Sequence, residues 1–91
     1  MQLKVAAQAG TLESSDTLVL VEPVAAGTGR QIELESNVLL QYGNRIRQQV
    51  TTTLDALKIA DARILIKDKG ALDATVRARV ETAIRRASQA T

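Results

Sequence analysis

The spacing of apolar residues along this chain switches between every second residue and every third or fourth residue, which limits the folds open to it. Residues 3–9 alternate, and so do residues 31–35, where Ile32 and Leu34 are separated by charged or amide side chains. Such alternation is typical of a strand with one buried face. Residues 17–23 are an apolar run ended by Pro23, which predicts a central strand buried on both faces. Residues 25–29 then predict a mobile hairpin loop.

The longest periodic segment extends from residue 37 to about residue 57 and predicts an amphipathic helix that packs on the sheet. Ser36 precedes this segment and is a favourable N-cap residue. Gly43 lies inside the segment and allows a kink or a break there. The apolar positions recur every three or four residues and are Val38, Tyr42, Ile46, Val50, Leu54 and Leu57.

A fourth strand and a second helix are predicted in the last third of the chain. From Asp61 the residues alternate again, with Ile64 and Ile66 on one side. Residues 68–70 form a turn, and a helix follows to about residue 87. Arg77 and Glu81 in it are spaced for an ion pair between adjacent turns. The apolar face of this helix consists of Leu72, Val76, Val80 and Ile84.

The predicted order is therefore β-β-β-α-β-α, which we interpret as an α+β fold. Its architecture is a two-layer sandwich, a mixed sheet with two helices on one face. A chain of 91 residues supports one core, so we expect residues 1–91 to be a single domain. The chain has no Phe or Trp and a single Tyr, so this core is built from aliphatic side chains.

The absence of Cys and His excludes several kinds of chemistry. Disulfides and thiolate metal sites are ruled out, and the usual general base and metal ligand are missing. We therefore expect no metal site, no catalytic residue and no enzymatic activity of the chain on its own. No apolar run reaches the length of a membrane helix and no basic-then-apolar leader opens the sequence, so we expect no membrane association and a cytoplasmic location.

Charge is distributed unevenly, with a net charge of −3 in residues 1–43 and +5 in residues 44–91. A basic half is compatible with nucleic-acid binding. Single-stranded nucleic acids, however, are bound by stacking bases on aromatic side chains, and Tyr42 is the one aromatic residue in the sequence. The basic residues are also interleaved with acidic ones, so we expect no nucleic-acid partner.

Residues 10–16, with the sequence Gly-Thr-Leu-Glu-Ser-Ser-Asp, connect the first two predicted strands. Ser14 presents a small hydroxyl group at a point that the strands hold in place. Ser and Asp are also ordinary turn residues, so the residue types alone favour a purely structural turn. Unperturbed carboxylates have a pKa of about 4 and are too weakly basic to activate a serine. Glu13 and Asp16 therefore do not make Ser14 a catalytic nucleophile.

Three blocks of the sequence resemble one family. Residues 9–16 are similar to the N-terminal signature of the citrate lyase acyl carrier proteins, the gamma chains of citrate lyase. Residues 68–73, 77–81 and 86–88 resemble the family's C-terminal signature, and residues 41–47 are a weaker match. The blocks occur in order and extend over nearly the whole chain. The fold we predict is unlike the four-helix bundle of ordinary acyl carrier proteins.

The resemblance implies a phosphoprotein in which Ser14 carries 2'-(5''-phosphoribosyl)-3'-dephospho-coenzyme A through a phosphodiester. The thiol end of this arm would carry acetyl and citryl groups in citrate fermentation. The implied partners are the citrate lyase alpha chain, which exchanges acetyl for citrate, the beta chain, which cleaves the citryl group, and the enzyme that attaches the arm. The carrier itself contributes positioning, because a tethered group is held at high effective concentration near both active sites.

Two other functions remain open from the sequence: an acyl carrier subunit of malonate decarboxylase, or an unmodified regulatory interaction module. The chain also departs from the family pattern. Ser15 stands where some members have Gly, which offers a second hydroxyl beside Ser14. Leu39 and Leu40 stand where a more charged pair is expected, and they predict either a larger core face or a docking patch.

We also expect the turn around Ser14 to be mobile until a partner docks. Glu13 and Asp16 would make it acidic, which disfavours folding of a phosphorylated arm back onto its own turn. The contrary possibility is that Arg77, Arg79 or Arg85 binds the phosphates and holds the arm against the last helix.

Overall fold

The described part of the chain folds into four strands and two helices in the order predicted. The computed structural model describes residues 1–36 and 39–89, with the side chains of all of these except residues 39–42. The elements are β1 Ala7–Gly10, β2 Thr17–Glu22, β3 Arg30–Ser36, α1 Leu39–Ala56, β4 Ala62–Asp68 and α2 Asp73–Ser88.

The sheet is mixed, with the strand order β1-β2-β4-β3. β2 is antiparallel to β1 and to β4, whereas β3 is parallel to β4. This confirms the α+β prediction and corrects one detail of it. Residues 25–29 are not a hairpin loop, because β4 lies between β2 and β3. β4, in which Ile64 and Ile66 are fully buried, lies inside the sheet. β3, whose outer face carries Glu33 and Glu35, lies at the edge.

Both helices cover the same face of the sheet and enclose an aliphatic core. α2 contacts β1, β2 and α1, and α1 contacts β3. β2 is therefore buried on one face only. Val19 and Val21 are 0% and 1% exposed, whereas Leu18 and Leu20 on the other face are half-buried. The prediction that β2 is buried on both faces was wrong, because neither α1 nor α2 covers its second face.

The first strand is shorter than predicted and starts at Ala7 rather than residue 3. The backbone N–H groups of Lys4 and Val5 donate to the carbonyl oxygen of Ala87, at 2.8 and 3.0 Å. This segment therefore binds the last turn of α2 instead of extending the ladder. Leu3 is buried there, but Val5, which the alternation placed inside, is exposed.

α1 is continuous through Gly43, so this glycine does not break the helix. Ile46, Val50 and Leu54 are buried, as the periodicity predicts. The helix ends in a Schellman motif at Lys58, whose φ of 58° lies in the left-handed region. The predictions for Val38 and for the side chains of Leu39, Leu40 and Tyr42 lie outside the described residues, as does the backbone at Asn37 that Ser36 would cap.

α2 buries Val76, Val80 and Ile84 as predicted, together with two alanines of the same face. Leu72 was wrongly placed in this face. The helix begins at Asp73, so Leu72 occupies the extended N-cap position and is 77% exposed. The predicted pair between Arg77 and Glu81 is also absent. Glu81 pairs with Arg85 at 3.3 Å instead, since an acid placed before the base is the better orientation on a helix.

Candidate functional site

The turn between β1 and β2 starts at Gly10, and any other residue at this position would displace the backbone. Its φ is 91°, and a Cβ atom there would collide with the carbonyl oxygen of Thr17. It would also lie 3.2 Å from the Cδ atom of Arg79. Gly10 therefore lets the end of β1 pass close to β2 and α2.

Ser14 and Ser15 occupy the two central positions of a tight turn, which the N–H of Asp16 closes on the carbonyl oxygen of Glu13 at 3.1 Å. Of the two serines only Ser15 has a positive φ, 66°, which is the pattern of a type II turn. Glycine is the residue that best suits this second position. The backbone of this turn therefore favours Gly over Ser at position 15.

The turn is bound to the segment that follows β4. The N–H of Ser15 donates to the carbonyl oxygen of Lys69 at 2.8 Å, and the N–H of Lys69 donates to that of Asp16 at 2.9 Å. Asp68 shapes the second segment, because its buried carboxylate accepts the N–H groups of Gly70 and Ala71. The two family-like blocks around residues 9–16 and 68–73 therefore meet at one end of the molecule.

Asp16 fixes the turn to α2. Its carboxylate accepts hydrogen bonds from the Thr11 hydroxyl and the Thr17 N–H, both at 2.7 Å. The Arg79 guanidinium donates to both of its oxygens, at 3.0 and 3.3 Å. The hydrogen bonds from Arg79 and then those from Thr11 and Thr17 lower the pKa of Asp16 from 3.8 to about 2, against the opposing effect of burial.

This ion pair corrects the expected electrostatics of the turn. Glu13 and Asp16 were expected to make it acidic, but Arg79 neutralises Asp16. Glu13 is exposed and has no ion pair with any residue in the ranges 1–36 and 39–89. From the sequence, Arg79 is one of three possible phosphate ligands, but its ion pair with Asp16 is not predicted. No local signal identifies that ion pair, since 63 residues separate Arg79 from Asp16.

The other two arginines proposed to hold the arm have partners of their own. Arg77 donates to the side-chain oxygen of Gln49 in α1 at 2.6 Å, and Arg85 pairs with Glu81. Neither is bound to the turn. Of the three candidates, the structure brings only Arg79 into contact with the turn that carries Ser14.

Ser14 is exposed, and its hydroxyl makes no hydrogen bond with the part of the chain that the structure describes. The same holds for Ser15. The carboxylate bound within the turn is a weaker base than an ordinary aspartate, because the pKa of Asp16 is lowered to about 2. The turn therefore offers an accessible hydroxyl but no base, so a reaction at Ser14 needs an enzyme that supplies one.

Neither a metal site nor a membrane span appears in residues 1–36 and 39–89. No three Asp, Glu, His or Cys side chains converge there in a way that would hold a metal ion. Over the same residues, neither helix combines the length and the apolar character needed to cross a bilayer.

The chain matches a family model and several characterised proteins over almost its whole length. The family model, described as the malonate decarboxylase delta subunit (MdcD) acyl carrier protein, matches residues 4–87. Citrate lyase acyl carrier proteins are similar: that of Vibrio cholerae is 51% identical over 87 residues, covering 96% of this chain and 88% of the relative. That of Klebsiella pneumoniae is 47% identical over 91 residues, covering 100% and 93%.

A solved structure has the same fold. A chain in the crystal structure of a Pseudomonas malonate decarboxylase hetero-tetramer in complex with malonate superposes with a TM-score of 0.78 and 25% identity. The match covers 96% of this chain and 89% of that one. The relatives are named as acyl carriers, which confirms the prediction of a non-catalytic carrier rather than an enzyme. Identity of this level over nearly the whole length shows that the chain belongs to the citrate lyase acyl carrier protein family.

Proposed function

We propose that this chain is the acyl carrier subunit of a citrate lyase and that Ser14 bears 2'-(5''-phosphoribosyl)-3'-dephospho-coenzyme A. The observation that carries the proposal is the position of Ser14 in a chain whose relatives are citrate lyase acyl carriers. Its hydroxyl is exposed and bonds to no described residue, and it lies on a turn that is bound on two sides. A carrier needs this combination: an accessible attachment point on a rigid base.

The residues of the turn fit a phosphodiester. The Arg79 guanidinium neutralises the one carboxylate that is built into the turn. The remaining carboxylate of Glu13 is solvent-exposed, where repulsion between single charges is about 1 kcal/mol or less. The added negative charge therefore does not oppose attachment strongly.

The attachment step needs an activated donor and an enzyme. In the step we propose, the Ser14 oxygen attacks a phosphorus atom of a phosphoanhydride form of the group. The new O–P bond forms as the anhydride P–O bond breaks, and the phosphate-containing leaving group departs with the bonding electrons. A base of the attachment enzyme accepts the hydroxyl proton, because the chain has no histidine or cysteine and Asp16 is bound to Arg79.

The bound group would supply a terminal thiol on which acetyl and citryl are carried as thioesters. The chain itself holds the attachment point in a fixed position. The hydrogen bonds from Ser15 to Lys69 and from Arg79 to Asp16 keep the attachment point in one place on the molecule. We propose that its partners are the citrate lyase alpha chain, which transfers acetate or citrate, and the beta chain, which cleaves the citryl group, in the cytoplasm.

Ser14 is assigned over Ser15 by its place in the family-like block Thr11-Leu12-Glu13-Ser14, which matches the modified serine of the resemblance. The hydroxyls of both serines are exposed and bond to no described residue, so the resemblance alone distinguishes them. The direct test is to replace each serine by Ala, to co-express the attachment enzyme and its donor pathway, and to measure the intact mass. We expect the added mass to vanish in Ser14→Ala and to persist in Ser15→Ala; the reverse pattern contradicts the assignment.

The malonate decarboxylase carrier is a second candidate, favoured by the description of the family model and by the solved hetero-tetramer. The higher identity to citrate lyase carriers, 51% against 25%, favours citrate lyase. Reconstitution separates the two. The modified chain should restore citrate cleavage to citrate lyase alpha and beta chains and should not restore malonate decarboxylation to the corresponding decarboxylase subunits. Protein from the native host that has no added mass would instead indicate an unmodified interaction module.

A further inference from the structure

Large apolar side chains are exposed at two places on the described surface. Within residues 1–36 and 39–89, these side chains are Met1, Val5, Leu12 and Leu72, at 50%, 47%, 54% and 77% exposure. Met1 and Val5 belong to the N-terminal segment that binds the last turn of α2. Leu12 and Leu72 lie at the opposite end of β1: Leu12 is two residues before Ser14, and Leu72 is three residues after Lys69, which bonds to the turn.

Leu12 and Leu72 belong to the two segments that meet at the turn of residues 11–16, which we call the attachment turn because it carries Ser14, the proposed attachment site. Leu12 is two residues before Ser14 in the turn, and Leu72 ends the segment of residues 68–72. The paired backbone hydrogen bonds between Ser15, Asp16 and Lys69 hold these segments together. These hydrogen bonds favour a fixed backbone where the two segments meet, so binding a partner there orders little additional chain.

Leu72 is not explained by the folding of its own helix. It occupies the N-cap position of α2, where Ser, Thr, Asp or Asn would accept a hydrogen bond from the first turn. It makes no side-chain cap hydrogen bond, and it contributes nothing to the core at 77% exposure. A residue that breaks a local rule without a structural gain points to a function outside the fold.

We propose that Leu12, Glu13 and Leu72 form a docking patch for the enzyme that attaches the prosthetic group to Ser14; this rests on the proposed function. An enzyme that forms a bond to the Ser14 oxygen must bring its active site against that oxygen, so it also covers the neighbouring side chains. The alpha and beta chains act at the far end of a long arm and have no such need. An active site that binds a phosphoanhydride donor is positively charged, which suits the exposed carboxylate of Glu13.

The test measures the rate of attachment for Leu12→Ser and Leu72→Ser with the attachment enzyme and its activated donor, followed by intact mass. We expect each variant to lower kcat/KM roughly tenfold, mainly through a higher KM, because an anchor residue at a docking surface contributes to binding rather than to the chemical step. The matched control is Val5→Ser at the other end of β1. It removes an apolar side chain that is 47% exposed, close to the 54% of Leu12, and should change kcat/KM by less than about twofold.

Leu72→Ser also separates docking from folding. A serine at this N-cap position should raise the melting temperature, because it can cap the first turn of α2. A more stable protein that is modified more slowly supports the patch. Attachment at the wild-type rate in both leucine variants, or an equal loss in Val5→Ser, overturns it while the assignment of Ser14 stands. Failure of the wild-type chain to gain mass, or gain of mass by Ser14→Ala, overturns the proposed function itself.

Discussion

The two connections at opposite ends of β2 are both held by an aspartate carboxylate that accepts backbone N–H groups, but they leave different groups exposed. In the attachment turn Asp16 accepts a backbone N–H at Thr17, and in residues 23–29 the carboxylate of Asp61 accepts those of Gly27 and Gly29 at 3.1 and 2.7 Å. An aspartate thus fixes the backbone in both. Only Asp16 is also ion-paired to a helix, which ties the attachment turn to α2.

The hydroxyl groups show the functional difference. The Thr28 hydroxyl, at the tip of the second loop, donates to the carbonyl oxygen of Ala25 at 2.6 Å and so serves the loop itself. The hydroxyls of Ser14 and Ser15 make no such bond to any described residue. Ordinary turn residues satisfy their side chains locally. The hydroxyl of Ser14 is therefore left available for the attachment that we propose.

The largest expected effect is on the free energy of unfolding when Gly10 is replaced, because this is where the two connections differ most. Gly10→Ala should lower the free energy of unfolding by about 3 kcal/mol or more, because the left-handed backbone and the collision with the Thr17 carbonyl act together. Gly27→Ala is the control. Its φ is 87°, but nothing lies within 4 Å of the added Cβ, so it should cost about 1 kcal/mol. Urea unfolding of both variants measures the difference, and equal costs would show that β1 can move aside.

A smaller effect is expected from the ion pair of the attachment turn. Asp16 has a folded pKa of about 2 against 3.8, so its contribution to stability is complete above pH 4 and is lost as the pH falls toward 2. Asp16→Asn should cost about 1–2 kcal/mol at pH 7, a range reduced because Arg79 is 41% exposed.

Unfolding measured between pH 7 and pH 2 tests this, and the variant should lose less stability than the wild type below pH 4. The control is Glu81→Gln, which removes a solvent-exposed pair with Arg85 and should cost about 0.5 kcal/mol or less. An Asp16→Asn protein with the wild-type acid profile would show that the ion pair does not stabilise the turn.

Relief of the strained turn position should produce a gain in stability. Ser15→Gly is expected to raise the free energy of unfolding by up to about 1 kcal/mol, because glycine adopts a φ of 66° without a steric penalty. Attachment at Ser14 should persist in this variant. Thr28→Ala is the comparison in the other loop, where loss of an internal hydrogen bond should cost about 1 kcal/mol. Destabilisation by Ser15→Gly would contradict the type II geometry.

The smallest expected effect is on chemical shifts. The turn was predicted to be mobile until a partner docks, and this stays a prediction, although its hydrogen bonds favour a fixed conformation. If the arm extends away from the carrier, modification should shift resonances of residues 10–17 and 69–72 and leave residues 23–29 unchanged. Shifts at Arg77 or Arg85 would show instead that the arm is held along α2. Amide exchange at Ser15 and Asp16 in the unmodified protein measures the mobility directly.

The sequence by itself determined which segments become strands and which become helices, because periodicity is a property of neighbouring residues. The burial of Ile64 and Ile66 in β4 and of Val50 and Leu54 in α1 follows directly from that spacing. The resemblance of residues 9–16 to a known signature also singled out Ser14 as the attachment site that we propose. Helix boundaries were less secure, and Leu72 was misplaced because an apolar residue at the right interval does not show where the first turn begins.

Only the tertiary structure decided which elements lie side by side. The insertion of β4 between β2 and β3 depends on which strand is best buried on the helix-covered face, and that choice involves the whole sheet at once. The pairing of Arg79 with Asp16 depends in turn on how α2 lies over β1 and β2. Local propensity extends over a few residues, whereas these contacts join residues far apart in sequence, so their partners are fixed by packing and not by spacing.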